Sequence, residues 1–212
     1  MKKLILVVGF LSFLITGCAT PYLQESTNAS KIKKKYDKIL VFANAKDKTA
    51  RLKFENQVVQ DFAANGIEAF SSMSVIQTNT FSKELSEKDL EDLRIQLVKD
   101  GYSGIVITNL ISKDQYSDVV SGGTSTAFVP VRYGRFGRYY GSYPVNYWEP
   151  DQVQVGMEYT LESCFYDITV NQKDNLQWVG RFKVKDPSSL SATIEKYSKE
   201  LVAQLLLESI SQ

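Results

Sequence analysis

The chain has 212 residues, 43% of them hydrophobic and 23% charged, which suits one domain with a full core and excludes a disordered chain. Its 25 basic and 24 acidic residues nearly cancel, so no global charge draws it to nucleic acid or anionic lipid. It has no histidine, which removes the commonest general base and metal ligand, and its 2 cysteines are Cys18 and Cys164.

Lys2 and Lys3 give the chain a positive start, and Leu4 to Ile15 is an apolar run. Its 12 residues are too few to span a bilayer, which takes roughly 20. This is the layout of a secretory signal. The run ends in Leu14-Ile15-Thr16-Gly17-Cys18, which resembles the bacterial lipobox. The resemblance implies a diacylglyceryl thioether on Cys18, cleavage after Gly17 and acylation of the new amino group. Several acyl chains on one cysteine give a stable anchor where one chain gives a marginal one. Cleavage removes Lys2 and Lys3, so the mature chain would have 195 residues (212 less 17) and a net charge of −1 (23 against 24). If Cys18 carries lipid, no intrachain disulfide is possible. Ala19 stands where an aspartate would suggest inner-membrane retention. By analogy the protein sorts to the bacterial outer membrane, and the lack of an acidic run after Cys18 favours the periplasmic face. Residues 18–35 then read as a lipidated N-terminus and tether. Extended, the tether reaches at most about 55 Å. Its lysines, Lys31, Lys33, Lys34 and Lys35, fit either a solvated linker or contact with anionic head groups.

Residues 36–212 read as a single α/β domain. Lys38 to Ala43 is a short apolar run, expected as a buried strand. A helix is expected over Thr49 to Ala64, with Leu52, Glu55, Val59, Phe62 and Ala63 on one face and Asn65-Gly66 ending it. Ile67 to Phe70 is a second strand. Ser86-Glu87-Lys88-Asp89 forms a capping box. It opens a helix with Leu90, Leu93, Leu97 and Val98 at helical spacing, closed by Gly101. Tyr102 to Ile111 is a third strand, apolar enough to be central. This alternation is that of a sheet with crossover helices. The period then changes to two over Val153 to Val170, with Val153, Val155, Met157, Tyr159, Leu161 and Phe165 on one face. A polar turn over Asn171 to Asn175 leads to Leu176 to Lys185, where Trp178, Gly180, Phe182 and Val184 share a face. Two such runs around a short turn make an antiparallel hairpin. Asp186-Pro187-Ser188-Ser189 starts a last helix whose buried face carries Leu190, Ile194, Tyr197, Leu201 and Leu205. The expected fold is α/β (α+β): a three-strand α/β half and a long antiparallel hairpin in one mixed sheet, with about three helices packed on it.

This order of elements, with Glu162-Ser163-Cys164-Phe165-Tyr166-Asp167, then Trp178-Val179-Gly180, then Asp186-Pro187-Ser188-Ser189, resembles the group of envelope lipoproteins related to the TolB amino-terminal domain and the curli secretion lipoprotein. The likeness covers about 170 residues as an order of elements and about 30 as sequence. It implies a periplasmic interaction domain without catalysis and carries over no functional residue. The chain departs from the curli pore proteins in that its sequence shows no convincing membrane-spanning hairpins.

Residues 121–152 read as a loop rich in aromatic residues, glycine and arginine. Phe128, Tyr133, Phe136, Tyr139, Tyr140, Tyr143, Tyr147 and Trp148 are interleaved with Arg132, Arg135 and Arg138. Long connectors are often functional, and Tyr, Trp and Arg are the residues enriched at binding hot spots. Arg132, Tyr133, Arg135, Phe136, Arg138, Tyr139, Tyr140, Tyr143, Tyr147 and Trp148 are therefore the candidate contact residues. They suit a protein partner, an identical subunit, or a glycan such as peptidoglycan. Contact with a membrane interface also fits, as does a mobile loop whose rings pack back on the domain. An exported protein seldom meets nucleic acid, so that partner is not expected.

No catalytic set is legible. Glu158 and Glu162 lie four residues apart on one strand face, roughly 13 Å, outside the range of about 5–9.5 Å for paired glycosidase carboxylates. They read as solvent-facing groups or as partners of Arg181 and Lys183. Cys164 has no histidine to activate it and reads as a small buried hydrophobe. Asn44 and Asn109 lie at strand ends where open α/β sheets bind ligands, but the following loop has no glycine fingerprint for a nucleotide. Asp47, Asp114 and Asp118 show no metal-ligand spacing. No cofactor, metal or catalytic residue is expected. The expected role is a lipid-anchored, non-catalytic binding or assembly module, with a subunit of a homo-oligomer or a carboxylate-dependent envelope hydrolase as alternatives.

Overall fold

The run Ile39-Leu40-Val41-Phe42 is apolar at every position, which suits a strand covered on both faces. In the computed structural model, which describes residues 20–76, 86–131, 141–148, 150–170 and 175–211, it becomes an interior strand of a mixed sheet. The elements in chain order are β1 (Leu23–Asn28), β2 (Ile39–Asn44), α1 (Lys48–Ala64), β3 (Ala69–Ser71), α2 (Ser72–Val75), α3 (Glu87–Lys99), β4 (Gly104–Val120), β5 (Thr124–Val131), β6 (Gly141–Trp148), β7 (Gln152–Asp167), β8 (Leu176–Lys185) and α4 (Leu190–Glu208). Six strands form one sheet in the order β1-β8-β7-β4-β2-β3, and β5 and β6 pair with each other. β2 is parallel to β3 and β4, while β4, β7, β8 and β1 run antiparallel in turn. The protein is thus of mixed α/β class, with a parallel half and a hairpin half in one sheet.

Local signals account for the helix ends. The Asp47 carboxylate accepts from the N–H groups of Thr49 and Ala50 and caps α1. Gly66, at φ 74°, takes the left-handed conformation just beyond it. Ser86 and Asp89 form the reciprocal capping box that starts α3.

One face of the sheet carries most of the core. Ile39, Val41, Val106, Phe165, Trp178 and Phe182 are fully buried there, under Val58 and Phe62 of α1 and Leu201 and Leu205 of α4. Each such side chain contributes about 1.5–3 kcal/mol by leaving water. A smaller cluster on the other face joins Leu40, Leu97, Tyr102 and Ile168 under α3. The buried face of α1 is rotated from the expected one: Phe54, Glu55, Val58 and Phe62 are buried, while Leu52 is exposed. Leu190, at the first turn of α4, is also exposed. In both cases an apolar side chain fits the helical period but is left largely open to solvent.

The segment expected as a tether is instead part of the sheet. β1 runs antiparallel to β8 along its outer edge. Its residues are mostly polar, so no hydrophobic period marks it. Backbone pairing and α4 hold it: Glu200 accepts from the N–H groups of Tyr22 and Leu23 at 2.7 and 2.8 Å, and Glu208 accepts from Ser26 at 2.9 Å. Lys34 bridges to Ile210 by backbone pairing, and its ammonium lies 2.6 Å from the buried Asp167 carboxylate. That lysine therefore has a partner within the protein.

The Asp167 contact has a testable pH signature. Burial pushes its carboxyl up, but hydrogen bonds from Lys34 and Thr169 outweigh that and hold it below the usual carboxylate range. A depressed pKa contributes stability that is complete above the unfolded-state value of about 3.9 and is lost as pH falls through the folded-state value. The stability lead of the native protein over Asp167→Asn is expected to be constant from pH 7 to about pH 5 and to shrink below about pH 4. Urea midpoints of both proteins across that range measure it. A lead that does not change with pH would contradict this assignment.

Candidate contact surface

β4 and β7 are far longer than the sheet body that holds them. β2 flanks β4 only as far as Asn109, and β8 flanks β7 only from Glu158 onward. Beyond those points the two strands, among the described residues, pair only with each other, out to Val120 and Gln152. The expected strand ending at Ile111 thus runs nine residues further, to Val120. An irregularity between Leu110 and Ser112 resets which side chains face which way.

Residues 121–152, expected as a loop without regular structure, hold two paired strands. β5 and β6 run antiparallel from Thr124↔Trp148 to Val131↔Gly141. The period was masked because Ser, Thr, Gly and Pro alternate with Val and Tyr here. Pro130 and Pro144 suit strands whose outer edges need no ladder bond. The pairing offset is the same on both sides of the interruption: four steps lead from Val120 to Thr124, and four from Trp148 to Gln152. Across it, Gly122 N–H donates to Asp151 at 2.7 Å. β4 with β5 and β6 with β7 are therefore the two legs of one hairpin arm in constant register.

The arm has unlike faces. Opposed residues share a face in an antiparallel pair. Met157, Val155 and Val153 lie on one face with Val119, followed outward by Tyr147, Ala127 and Val145, and the same face carries Gln115, Ser117 and Ser125 opposite them. That face continues the core face of the sheet, because Tyr159, Leu161 and Phe165 precede it in the same alternation. In the body it is buried; on the arm Val119, Val153 and Val155 are 63%, 64% and 59% exposed. The opposite face carries Tyr116, Asp118, Gln154, Gln152, Thr126 and Asn146, with Thr126 donating to Asn146 at 2.7 Å, and also Val120 and Trp148, which are 47% and 71% exposed.

A clamp fixes the root of the arm. The Tyr116 hydroxyl donates to the Asp186 carboxylate, which also accepts from Met157 N–H at 2.8 Å. Lys185 lies 4.6 Å from the centre of the Tyr116 ring. Gly156 makes room, since a Cβ there would lie 2.5 Å from Asp186 and 2.6 Å from Tyr116. The hydrogen bond to Asp186 pushes the Tyr116 phenol up to about 12, and the same bond holds the Asp186 carboxyl below its usual range. Asp186 itself sits at φ 40°. Sequence reasoning saw Asp186 only as the start of a helix. It missed the clamp because Tyr116 lies in an alternation too polar to read as a strand.

Of the candidate contact residues, Tyr147 and Trp148 end β6 and are 48% and 71% exposed, on opposite faces. Tyr143 lies on the same strand, paired with Val129. Arg132, Tyr133, Arg135, Phe136, Arg138, Tyr139, Tyr140 and the lipidation candidate Cys18 lie outside the described residues.

The remaining sites are built as follows. Asn44 donates to Asn109 at 3.1 Å across the ends of β2 and β4. Beside them lies an apolar cleft of about 180 Å³, lined by Ala43, Phe54, Leu110, Leu161 and Ile194. Under it Thr108, Ser163 and Tyr197 form a buried hydroxyl chain with steps of 2.7 and 2.9 Å. Glu158 pairs with Lys183 at 2.8 Å and Glu162 with Arg181 at 3.1 Å, as expected from their strand positions. Cys164 is buried, which pushes its thiol up and away from the reactive thiolate. Among the described residues no group of three acidic or cysteine side chains is placed to hold a metal ion. No helix among them is long and apolar enough to cross a membrane, which says nothing of crossing by strands.

No family model matches the chain, and no curated protein matches it by sequence. Several solved structures are similar to it, among them the following three. A PelC dodecamer from Paraburkholderia phytofirmans shares 9% identity over 85% of this chain and 94% of that one, at a TM-score of 0.44. A dodecamer of a single-substitution PelC variant from the same organism shares 7% over 86% and 98%, at 0.45. The lipoprotein GNA1162 from Neisseria meningitidis shares 12% over 81% and 99%, at 0.39. At these scores and identities the likenesses are distant.

Proposed function

We propose that the chain is a lipid-anchored, non-catalytic assembly module of the bacterial cell envelope, held at the outer membrane on its periplasmic face, and that its arm is the contact surface. The observation that carries this reading is a long two-stranded arm whose legs, among the described residues, pair only with each other. A lone hairpin is marginally stable in water, and exposed strand edges are templates for pairing with further strands. Copies of the same arm match it in length and offset, so self-association is the form of assembly the arm favours. Tyr147 and Trp148 belong to this surface.

Photo-crosslinking in cells from Tyr147, with Lys88 on the exposed side of α3 as control, tests it. A ladder at multiples of the subunit mass from position 147, absent from position 88, is expected. Equal or absent adducts at both positions, with the protein still in the membrane fraction, would remove the arm as the contact surface.

A further inference from the structure

The apolar cleft beside Asn44 and Asn109 continues toward the root of the arm. A second cleft of about 350 Å³ adjoins it and shares Leu110, Leu161, Val184, Leu190 and Thr193, with Tyr159 and Pro187 extending it. Together they form one trough between the N-terminal halves of α1 and α4, floored by the core face of β4, β7 and β8. Open α/β sheets take ligands at this end of their strands. The surface of the trough is mostly carbon, and its lips, Leu110 and Leu190, are 52% and 49% exposed. A cavity of about 150 Å³ lined by Leu, Ile and Phe holds a benzene ring. The inner cleft, at about 180 Å³, therefore has room for a run of methylenes, and the whole trough for a longer one.

A source of such a chain lies close by. Lys196 of α4 donates to the Thr20 carbonyl, and its ammonium lies 4.1 Å from the centre of the Tyr22 ring. Glu200, one turn on, accepts from Tyr22 N–H at 2.7 Å. These contacts hold residues 20–22 against α4, and Lys196 is only about 5 Å along the helix from Thr193. Cys18 lies two residues before Thr20, within about 7 Å along the chain. β1 lies on one flank of α4 and the trough on the flank that faces α1. An alkyl chain on Cys18 therefore reaches the trough around the first turn of α4, past Leu190.

We propose that the trough takes one acyl chain of the lipid on Cys18 while the protein is in water. The proposal rests on the reading of Cys18 as lipidated. Out of the bilayer, each methylene that enters the trough leaves water, and the hydrophobic effect favours the move. Within the bilayer the same move exchanges one apolar surrounding for another, so the drive is gone and the chain stays with the membrane. The trough thus shelters part of the anchor in water and releases it to lipid.

The test uses the full mature chain, unacylated, with Cys164→Ser so that Cys18 carries the only thiol. That thiol is coupled to a single dodecyl chain, or capped with N-ethylmaleimide as reference. The methyl resonances of Leu110, Leu161, Val184 and Ile194 are expected to shift with the dodecyl chain, and those of Leu40 and Leu97 on the other face to stay. The thermal midpoint is expected to rise by several degrees. Because the chain is tethered, its occupancy should not depend on protein concentration. Leu190→Asp puts a charge at the mouth, and at the first position of α4 it suits the helix, so the domain folds and the shifts should vanish. Trough methyls that do not move with the dodecyl chain, or that move equally in Leu190→Asp, overturn the proposal. Shifts that grow with protein concentration overturn it in favour of chains exchanged between copies. Shifts with free dodecanoate but not with the tethered chain overturn the anchor as occupant and leave a ligand from elsewhere. The mass of the native protein decides the anchor separately: a Cys18 without lipid removes the source, while the tethered chain still decides what the trough accepts.

Discussion

Replacing Glu55 by alanine is expected to destabilise the domain by about 3–5 kcal/mol, the range for breaking a buried charged network. Glu55 is fully buried in the middle of α1. Its carboxylate accepts from Arg51 at 2.8 Å, from the hydroxyls of Ser71 and Ser72 at 2.6 and 2.8 Å, and from the N–H groups of Ala43 and Met73 at 3.0 and 3.2 Å. One side chain thus ties α1 to the end of β2 and to the junction of β3 with α2. Alanine leaves those buried donors without their acceptor, and each costs its own desolvation. Heat unfolding should fall by on the order of 10 °C for a domain of this size. Glu55→Gln retains one acceptor oxygen and should lose less. Arg51→Ala should also destabilise, and the double variant should lose less than the sum of the singles, because the charge and its partner then go together. Urea unfolding of the lipid-free domain measures all four. A loss under about 1 kcal/mol for Glu55→Ala would mean that the donors find other partners.

Replacing Gly180 by alanine should be nearly as damaging, through a collision and not a cavity. The Trp178 indole lies over Gly180, so an added Cβ would overlap the ring and something must shift. The indole is fully buried and its N–H donates to Glu208 at 2.6 Å, so it has no free direction of retreat. Overpacking costs about 1–3 kcal/mol. If the indole is expelled, the loss approaches the roughly 3–5 kcal/mol of a Trp→Ala change. Trp178→Phe removes the colliding ring, so Gly180→Ala should cost less in that background than in the native one. Fluorescence adds a second readout: of the 2 tryptophans, Trp148 is already exposed, so a further red shift reports Trp178. An unchanged midpoint for Gly180→Ala would refute the close approach.

The body of the fold was legible because its elements carry strong periods. The runs at 38–43, 102–111 and 176–185 bury a face or both faces, and α4 shows its stripe. What was illegible shares one physical cause: it is held by something other than a repeating apolar face. β1 is polar and rests on backbone pairing and two glutamates of α4. The outer arm alternates small and polar residues with Val and Tyr, a pattern equally at home in a loop. Glu55 fell on the expected helix face, yet nothing local showed that its donors would arrive from residues 16 to 18 positions away. Tyr147 and Trp148 were identified as candidate contact residues, but their exposure, the strand that carries them and the opposite directions they take came only from the structure.

The place of β1 also sets an order of events. Leu23 pairs with Phe182, 159 positions later, and contacts between such distant segments form late and slowly. A chain that crosses a membrane N-terminus first brings β1 out long before β8 and α4 exist to receive it. If Cys18 is the lipidation site proposed above, it is open during that interval to the modifying enzymes that need access to it. Once β8 and α4 arrive, β1 closes the sheet edge. On that reading acylation would precede folding, and completion of the sheet would shorten the free chain between the domain and its membrane.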